Sequence, residues 1–553
     1  MSNLIQRIKQ REVSISLTAF NFIVAVWLGL CLNFGFLGKV QALTPYQGIK
    51  AQLFLIATAL VLIALYNLLL QLLDWKWTAK FFAIILVFIG GFSAYFVNSL
   101  GVIISPDQIQ NMAQTDSGEV ADLLSFQFFA WTVSFVILPI LLILWIRIKP
   151  EKISKIVLFK GLNIVGSLAV IGGLLFVFYV DYAAIFREHR DLKGMISPQN
   201  TVASTLSYFH KKAPKKNLPL IRYGEDAHIV EDIALQHKPK LMVLVVGETA
   251  RAESFALNGY AKNTNPELSK QANIINFSQV SSCGTATAVS VPCMFSGMPR
   301  VNYDEQLASH REGLLDIAQR AGYKVTWIDN NSGCKGTCDR VEKFVIPQEL
   351  EKKWCQGGEC LDGILVDSLN VYLKQLPKDD KQPHLIVLHQ MGSHGPAYYK
   401  RAPNEFKKFK PTCESNAIQG CSSTELINTY DNSIVYTDHI LNQVIESLKQ
   451  QDNYRTGFWY LSDHGESTGE RGMYLHGAPY AIAPTQQTHV PMLMWFSENW
   501  KAASAKQINC LTQQKAAKLS QDNLFPSLLS LLNIQTQVID QKNNMLHQCA
   551  VNS

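Results

Sequence analysis

LMVLVVGET, residues 241–249, is the stretch that decides the fold. Six apolar residues in an unbroken run fit a strand buried on both faces. The run stops at Gly247, and Glu248 and Thr249 follow at once. Three later runs end the same way. KVTWI (324–328) leads into Asp329, Asn330 and Asn331, and HLIVL (384–388) leads into His389 and then Gly392-Ser393-His394-Gly395. GFWYL (457–461) leads into Ser462-Asp463-His464-Gly465-Glu466. Helical patterns separate the runs, and this alternation predicts an α/β/α sandwich with a mostly parallel sheet. Open sheets of that kind bind ligands along the edge where the strands' carboxyl ends lie. The sequence thus aims Glu, Asp, Asn and His at one edge.

Upstream of this stretch the composition changes. Residues 1 to 181 are dominated by Leu, Ile, Val, Phe and Ala, and five segments are long and apolar enough to cross a hydrocarbon core: 14–36, 51–73, 80–104, 124–146 and 156–181. A cleaved leader has a shorter apolar region and is not followed by four more such segments, so the first is read as a true span. Arg7, Lys9 and Arg11 precede it, Lys76 and Lys80 lie between the second and third spans, and Arg147, Lys149, Lys152 and Lys155 lie between the fourth and fifth. Cytoplasmic loops are enriched in Lys and Arg. The loop after the third span carries Asp107, Asp116, Glu119 and Asp122 without a basic residue. With five spans, everything after residue 181 lies outside the cytoplasm. Three parts are expected: a membrane domain (1–181), a polar connector with surface helices (182–236) that includes KKAPKKNLP, and an α/β domain (237–553). The net charge of +6 is small for this length and its basic residues are scattered, which excludes a nucleic-acid footprint.

Ten of the eleven cysteines follow residue 280, in sequence-local pairs: Cys283 with Cys293, Cys334 with Cys338, Cys355 with Cys360, Cys413 with Cys421, and the wider Cys510 with Cys549. Outside the cytoplasm such pairs read as disulfides closing surface loops. The competing reading is a zinc site built from Cys334, Cys338, Cys355 and Cys360, which fits a cytosolic home and so conflicts with the charge bias.

Taken singly, a Glu or Asp after a strand is ordinarily a cap or turn residue, and a lone His is ordinarily structural. Together, Glu248, Asp463 and His464, with His394 and His476, supply the oxygen and nitrogen donors that a catalytic zinc site uses. The hydroxyl-rich segment from Ser281 to Cys293 contains Thr285, Thr287 and Ser290. Closed by a disulfide it is a clamped loop, and a Thr at a helix start places an anionic phosphoryl group beside backbone amides. A hydroxyl needs a metal or a base to become a good nucleophile.

At this point a resemblance emerges. GETARAESFALNGY (247–260), SCGTATAVSVPCMFS (282–296), DNNSGCKGTCDRV (329–341), GSHGP (392–396) and SDHGES (462–467) resemble the lipid A phosphoethanolamine transferases, including the mobile colistin-resistance enzymes. The resemblance spans the whole chain and implies five spans followed by a periplasmic domain of the alkaline phosphatase and sulfatase fold. It implies Thr287 as nucleophile, with Glu248, Thr287, Asp463 and His464 around one zinc ion, and His394 and His476 on a second zinc or on substrate phosphate. Asn331, Ser332, Lys335 and Glu466 match positions around the phosphoethanolamine group. Asn111, Thr115 and Glu119 recur every four residues, which puts them on one face of a helix, and they match a segment at the donor headgroup.

The reaction so implied takes phosphoethanolamine from phosphatidylethanolamine to a lipid A phosphate, at the bacterial inner membrane and in a monomer, with polymyxin or colistin resistance as the outcome. Transfer to a core sugar or another periplasmic glycan, hydrolysis by a periplasmic metallophosphodiesterase, and a non-enzymatic sensor are the alternatives.

Overall fold

The computed structural model describes residues 13–44, 46–115, 117–211, 218–230 and 238–547. They form two compact units. One comprises the chain up to Pro106 together with Leu124–Ser207; the other joins Asp107–Leu123 to the chain from Tyr208 onward.

In the first unit, four helices are long and apolar enough to span a bilayer: Ile49–Leu73, Ala79–Leu100, Phe126–Trp145 and Ile153–Val177. A fifth span is a bent pair, Leu17–Cys31 and Phe34–Leu43, which meet at 53°. The sequence predicts an uninterrupted first span over 14–36, and the structure differs here for a local reason. Asn33 donates from Nδ2 to Leu28 O (2.7 Å) and Ser197 O (2.8 Å) and accepts from Ser197 N (2.9 Å). A side chain that takes over backbone partners in this way breaks the helical ladder. Val157, Leu158, Leu162 and Val165 of the last spanning helix are exposed. An apolar outer surface of this kind suits lipid.

The second unit is built on an eight-stranded sheet. Its strands are β1 (Lys240–Gly247), β2 (Ile275–Ser281), β3 (Lys324–Asp329), β4 (Glu342–Lys343), β5 (His384–His389), β6 (Arg455–Ser462), β7 (His489–Phe496) and β8 (Leu519–Ser520). Their order is β8-β2-β7-β6-β1-β5-β3-β4, and only β7 runs against the rest. Every residue of β1 is buried. Met242, Leu244 and Val246 join one core with residues of the helices α3 (Thr287–Ser296), α6 (Glu498–Gln513) and α7 (Leu524–Leu531). Val243 and Val245, pointing the other way, are equally buried, and α4 (Gly363–Gln375) and α5 (Ser423–Lys449) cover that face. The result is the expected α/β/α sandwich. Two short helices, α1 (Pro106–Gln114) and α2 (Ser117–Leu123), precede it in the chain, and residues 107–123 belong to this unit.

The pairs Cys283–Cys293, Cys334–Cys338, Cys355–Cys360 and Cys413–Cys421 are disulfides. This replaces the competing four-cysteine zinc site, because a disulfide sulfur has no thiolate to offer a metal. Cys549 lies outside the described residues, so the expected Cys510–Cys549 pair is not described.

Candidate active site

The carboxyl ends of β6, β1, β5 and β3 meet at one edge, and the residues after them converge as their spacing predicts. Glu248 follows β1, Asp463 and His464 follow β6, Asn331 follows β3, and His394 lies in the turn after β5. Gly392 lets the β5 turn pass close to β1, since a Cβ there would lie 2.5 Å from Glu248 O. Its φ of +54° also suits glycine.

Thr287 is the first residue of α3, and Ala286 before it makes no side-chain cap. The first amides of the helix therefore remain available to an anion at this end. The Thr287 hydroxyl lies 3.0 Å from Oε2 and 3.2 Å from Oε1 of Glu248, and 3.2 Å from His464 Nε2. His464 Nε2 is also 3.4 Å from Glu248 Oε1 and 3.3 Å from Asp463 Oδ2. All four side chains are buried.

The protonation of this cluster follows from its surroundings. His464 Nδ1 faces the Gly465 carbonyl at 2.9 Å, and a carbonyl only accepts, so Nδ1 carries the hydrogen and Nε2 presents a lone pair. Asp463 Oδ1 accepts from Thr249 N and His464 N, while Oδ2 has no hydrogen-bond donor. Burial, and then the adjacent Asp463 charge, hold the Glu248 carboxyl well above the usual carboxylate range. Burial keeps His464 below the ordinary histidine value. Lone pairs and negative charge thus converge on a point with nothing positive among them. This donor set fits a metal cation, and Glu248, Asp463 and His464 bring their ligand atoms within 4.8 Å of one another.

A second group of ligand atoms comprises His464, Glu466 and His476. Glu466 Oε2 accepts from His476 Nδ1 at 2.9 Å, and its Oε1 accepts from the Tyr398 hydroxyl at 2.6 Å. Burial opposes charge on His476, yet Glu466 holds its pKa above the ordinary value. The His394 and His476 rings are 5.3 Å apart, and burial with the neighbouring His476 and Arg401 holds His394 well below that value. Asn331 Nδ2 donates to Glu248 Oε2 at 2.8 Å, and Lys335 Nζ donates to Ser332 Oγ at 2.8 Å and to Gln114 O at 3.3 Å.

The expectation of one helical face for Asn111, Thr115 and Glu119 is corrected. Helix α1 ends at Gln114, Thr115 turns its hydroxyl back to Asn111 O at 2.8 Å, and Glu119 stands in the first turn of α2. The hydroxyl competes with the backbone for partners and so favours a helix end at this position. Glu119 nevertheless reaches the cluster, with Oε1 4.0 Å from His394 Nε2. Sequence reasoning missed Tyr398 and Arg401. Both follow the GSHGP turn, and a Tyr-Tyr-Lys-Arg run directly after a site loop was the available signal.

Comparison with known proteins identifies the family. Residues 62–213 match the family model for phosphoethanolamine transferase EptA/EptB, and residues 240–534 match the sulfatase model. The chain is 41% identical to phosphoethanolamine transferase EptA of Escherichia coli K12 over 99% of both chains. It is 35% identical to the Escherichia coli phosphatidylethanolamine transferase Mcr-1, covering 94% of this chain and 95% of that one. The solved integral membrane lipooligosaccharide phosphoethanolamine transferase A from Neisseria meningitidis superposes with a TM-score of 0.91 at 35% identity, covering 97% of this chain and 99% of that one. The chain belongs to the EptA family of phosphoethanolamine transferases.

Proposed function

We propose that this inner-membrane protein transfers phosphoethanolamine from phosphatidylethanolamine to a phosphate of lipid A, working as a monomer through Thr287. The observation that carries the reading is the Thr287 hydroxyl, 3.0 Å from Glu248 and 3.2 Å from His464 at the uncapped start of α3. The proposed organisation is a membrane domain at 1–181, a connector at 182–236 and a periplasmic catalytic domain at 237–553.

Glu248, Asp463 and His464, with Thr287, would hold a zinc ion, and His476, Glu466 and His394 line the place for a second ion or for substrate phosphate. Bound there, zinc supplies Lewis acidity that favours the Thr287 alkoxide and offsets charge on phosphoryl oxygens. Thr287 Oγ1, its hydroxyl proton released to solvent, attacks the donor phosphorus, the bond from phosphorus to the diacylglycerol oxygen breaks, and that oxygen takes a proton from His476. The product on the protein is phosphoethanolamine esterified to Thr287. A lipid A phosphate oxygen then attacks the same phosphorus, and the Thr287 hydroxyl is restored. Lys335 and the first amides of α3 meet the phosphoryl oxygens, Asn331 and Ser332 orient Glu248 and Lys335, and Asn111, Thr115 and Glu119 receive the ethanolamine end. His476, hydrogen-bonded to Glu466 through Nδ1, is placed to act as the acid.

Neutralising a lipid A phosphate with an ammonium group weakens the binding of cationic peptides, and resistance to polymyxins, including colistin, follows. The test is diacylglycerol release from phosphatidylethanolamine by the purified protein, together with its intact mass. A phosphoethanolamine adduct that maps to Thr287 supports the reading. Diacylglycerol release with free phosphoethanolamine and no lipid A product favours hydrolysis.

A further inference from the structure

The segment Asp107–Leu123 lies in the chain between two membrane-spanning helices but packs as part of the catalytic unit. Two of its described links to the site are long. Gln110 Nε2 reaches Ala288 O at 3.4 Å, and Gln114 O accepts from Lys335 at 3.3 Å. At Asp122 the link is of a different kind. The Asp122 carboxylate is 2% exposed, and its Oδ2 accepts from Arg401 Nη2 at 2.7 Å while Oδ1 accepts from Lys400. The Asp122 backbone carbonyl accepts from Asn416 Nδ2 at 2.9 Å.

Arg401, 5% exposed, donates to three partners. Nε donates to His394 O at 2.8 Å, Nη1 and Nη2 donate to Glu359 at 3.1 Å and 3.0 Å, and Nη2 also donates to Asp122. One rigid guanidinium therefore fixes the His394 turn and the segment carrying Asn111, Thr115 and Glu119 to each other. Removing one partner from such a buried network leaves a charge without compensation.

We infer that Asp122 and Arg401 are positioning residues that clamp the 107–123 segment against the His394 turn and so build the binding site for the donor's ethanolamine headgroup. This rests on the reading of phosphatidylethanolamine as donor. Neither residue touches the reacting atoms, and both act through Glu119 and His394, whose side chains face each other at 4.0 Å.

The test compares full-length wild type with Asp122→Asn and Arg401→Lys in lipid nanodiscs, following diacylglycerol release against phosphatidylethanolamine content. The expected result is a KM raised about tenfold with kcat within about twofold, since the clamp shapes the site and not the chemistry. Hydrogen exchange, which does not depend on the substrate reading, is expected to accelerate at 107–123 in both variants while α3 and the ends of β1 and β6 stay protected. Unchanged exchange at 107–123, or a loss confined to kcat, would overturn the clamp. Wild type that releases no diacylglycerol, with exchange behaving as expected, refutes the donor and leaves the clamp standing. If Asp122→Asn does not fold, Lys400→Met replaces it, since that side chain is 43% exposed and shares Asp122. There a KM rise of about threefold is expected, as for a partly exposed ion pair, and a wild-type KM would overturn the proposal.

Discussion

His464 Nε2 lies 3.3 Å from Asp463 Oδ2, and both atoms present lone pairs. Two acceptors held this close in a buried site repel unless a cation sits between them. Asp463→Asn is therefore expected to lower zinc affinity by at least about 100-fold, the upper end of what changing a residue that only supports a metal ligand produces. Metal analysis after dialysis against graded chelator checks this. Zinc added to stripped wild type is expected to raise Tm, and added to the variant to leave it unchanged.

Lys335 separates stability from function. Its φ is +51°, a conformation that glycine adopts without strain. Lys335→Gly is expected to keep or raise stability by about 0.5 kcal/mol while reducing transfer about 100-fold through loss of the phosphate partner. Thermal melts and lipid turnover on one preparation check both, and parallel losses would contradict the assigned role.

Cys283–Cys293 closes the segment that carries Thr287, whereas Cys413–Cys421 closes a loop before α5. Replacing either pair with Ala is expected to cost about 2–3 kcal/mol of stability. Only the first replacement is expected to lower kcat in the fraction that remains folded. Equal kcat losses would show that neither disulfide serves the nucleophile.

Asp438 of α5 gives the catalytic domain a pH dependence remote from the site. Burial pushes its carboxyl from 3.8 up to about 7, although Glu267 N, Leu268 N and Asn265 Nδ2 donate to it. The folded state thus holds a proton that the unfolded chain releases. The contribution is fully present below the unfolded value of 3.8 and is lost as pH rises through about 7. Melting wild type against Asp438→Asn between those limits is expected to show wild type losing ground as pH rises. Parallel curves would contradict it.

The four strand ends were legible because each ladder is a local apolar run that stops on a polar residue, and the chemistry sits where the run stops. The clamped hydroxyl-rich loop was legible because Cys283 and Cys293 bracket it, while only the family resemblance singled out Thr287 from Thr285 and Ser290 within it. The rest depends on partners distant in sequence. Asn33 breaks the first membrane helix only because Ser197 offers both backbone groups. The α1–α2 break depends on Thr115 turning to Asn111, and the four-residue spacing concealed it. Arg401 reads as a surface charge until Asp122, 279 positions away, is seen against it. The reversal of β7 is set by its pairing with β2 and β6, which no local pattern encodes.

The central claim is that Thr287 passes phosphoethanolamine to lipid A, and mass spectrometry of lipid A from a Gram-negative host expressing this chain tests it most directly. Wild type is expected to add one phosphoethanolamine to lipid A, and Thr287→Ala, present in the membrane at equal level, to add none. Unmodified lipid A with wild type, or modification that persists in Thr287→Ala, would contradict the account.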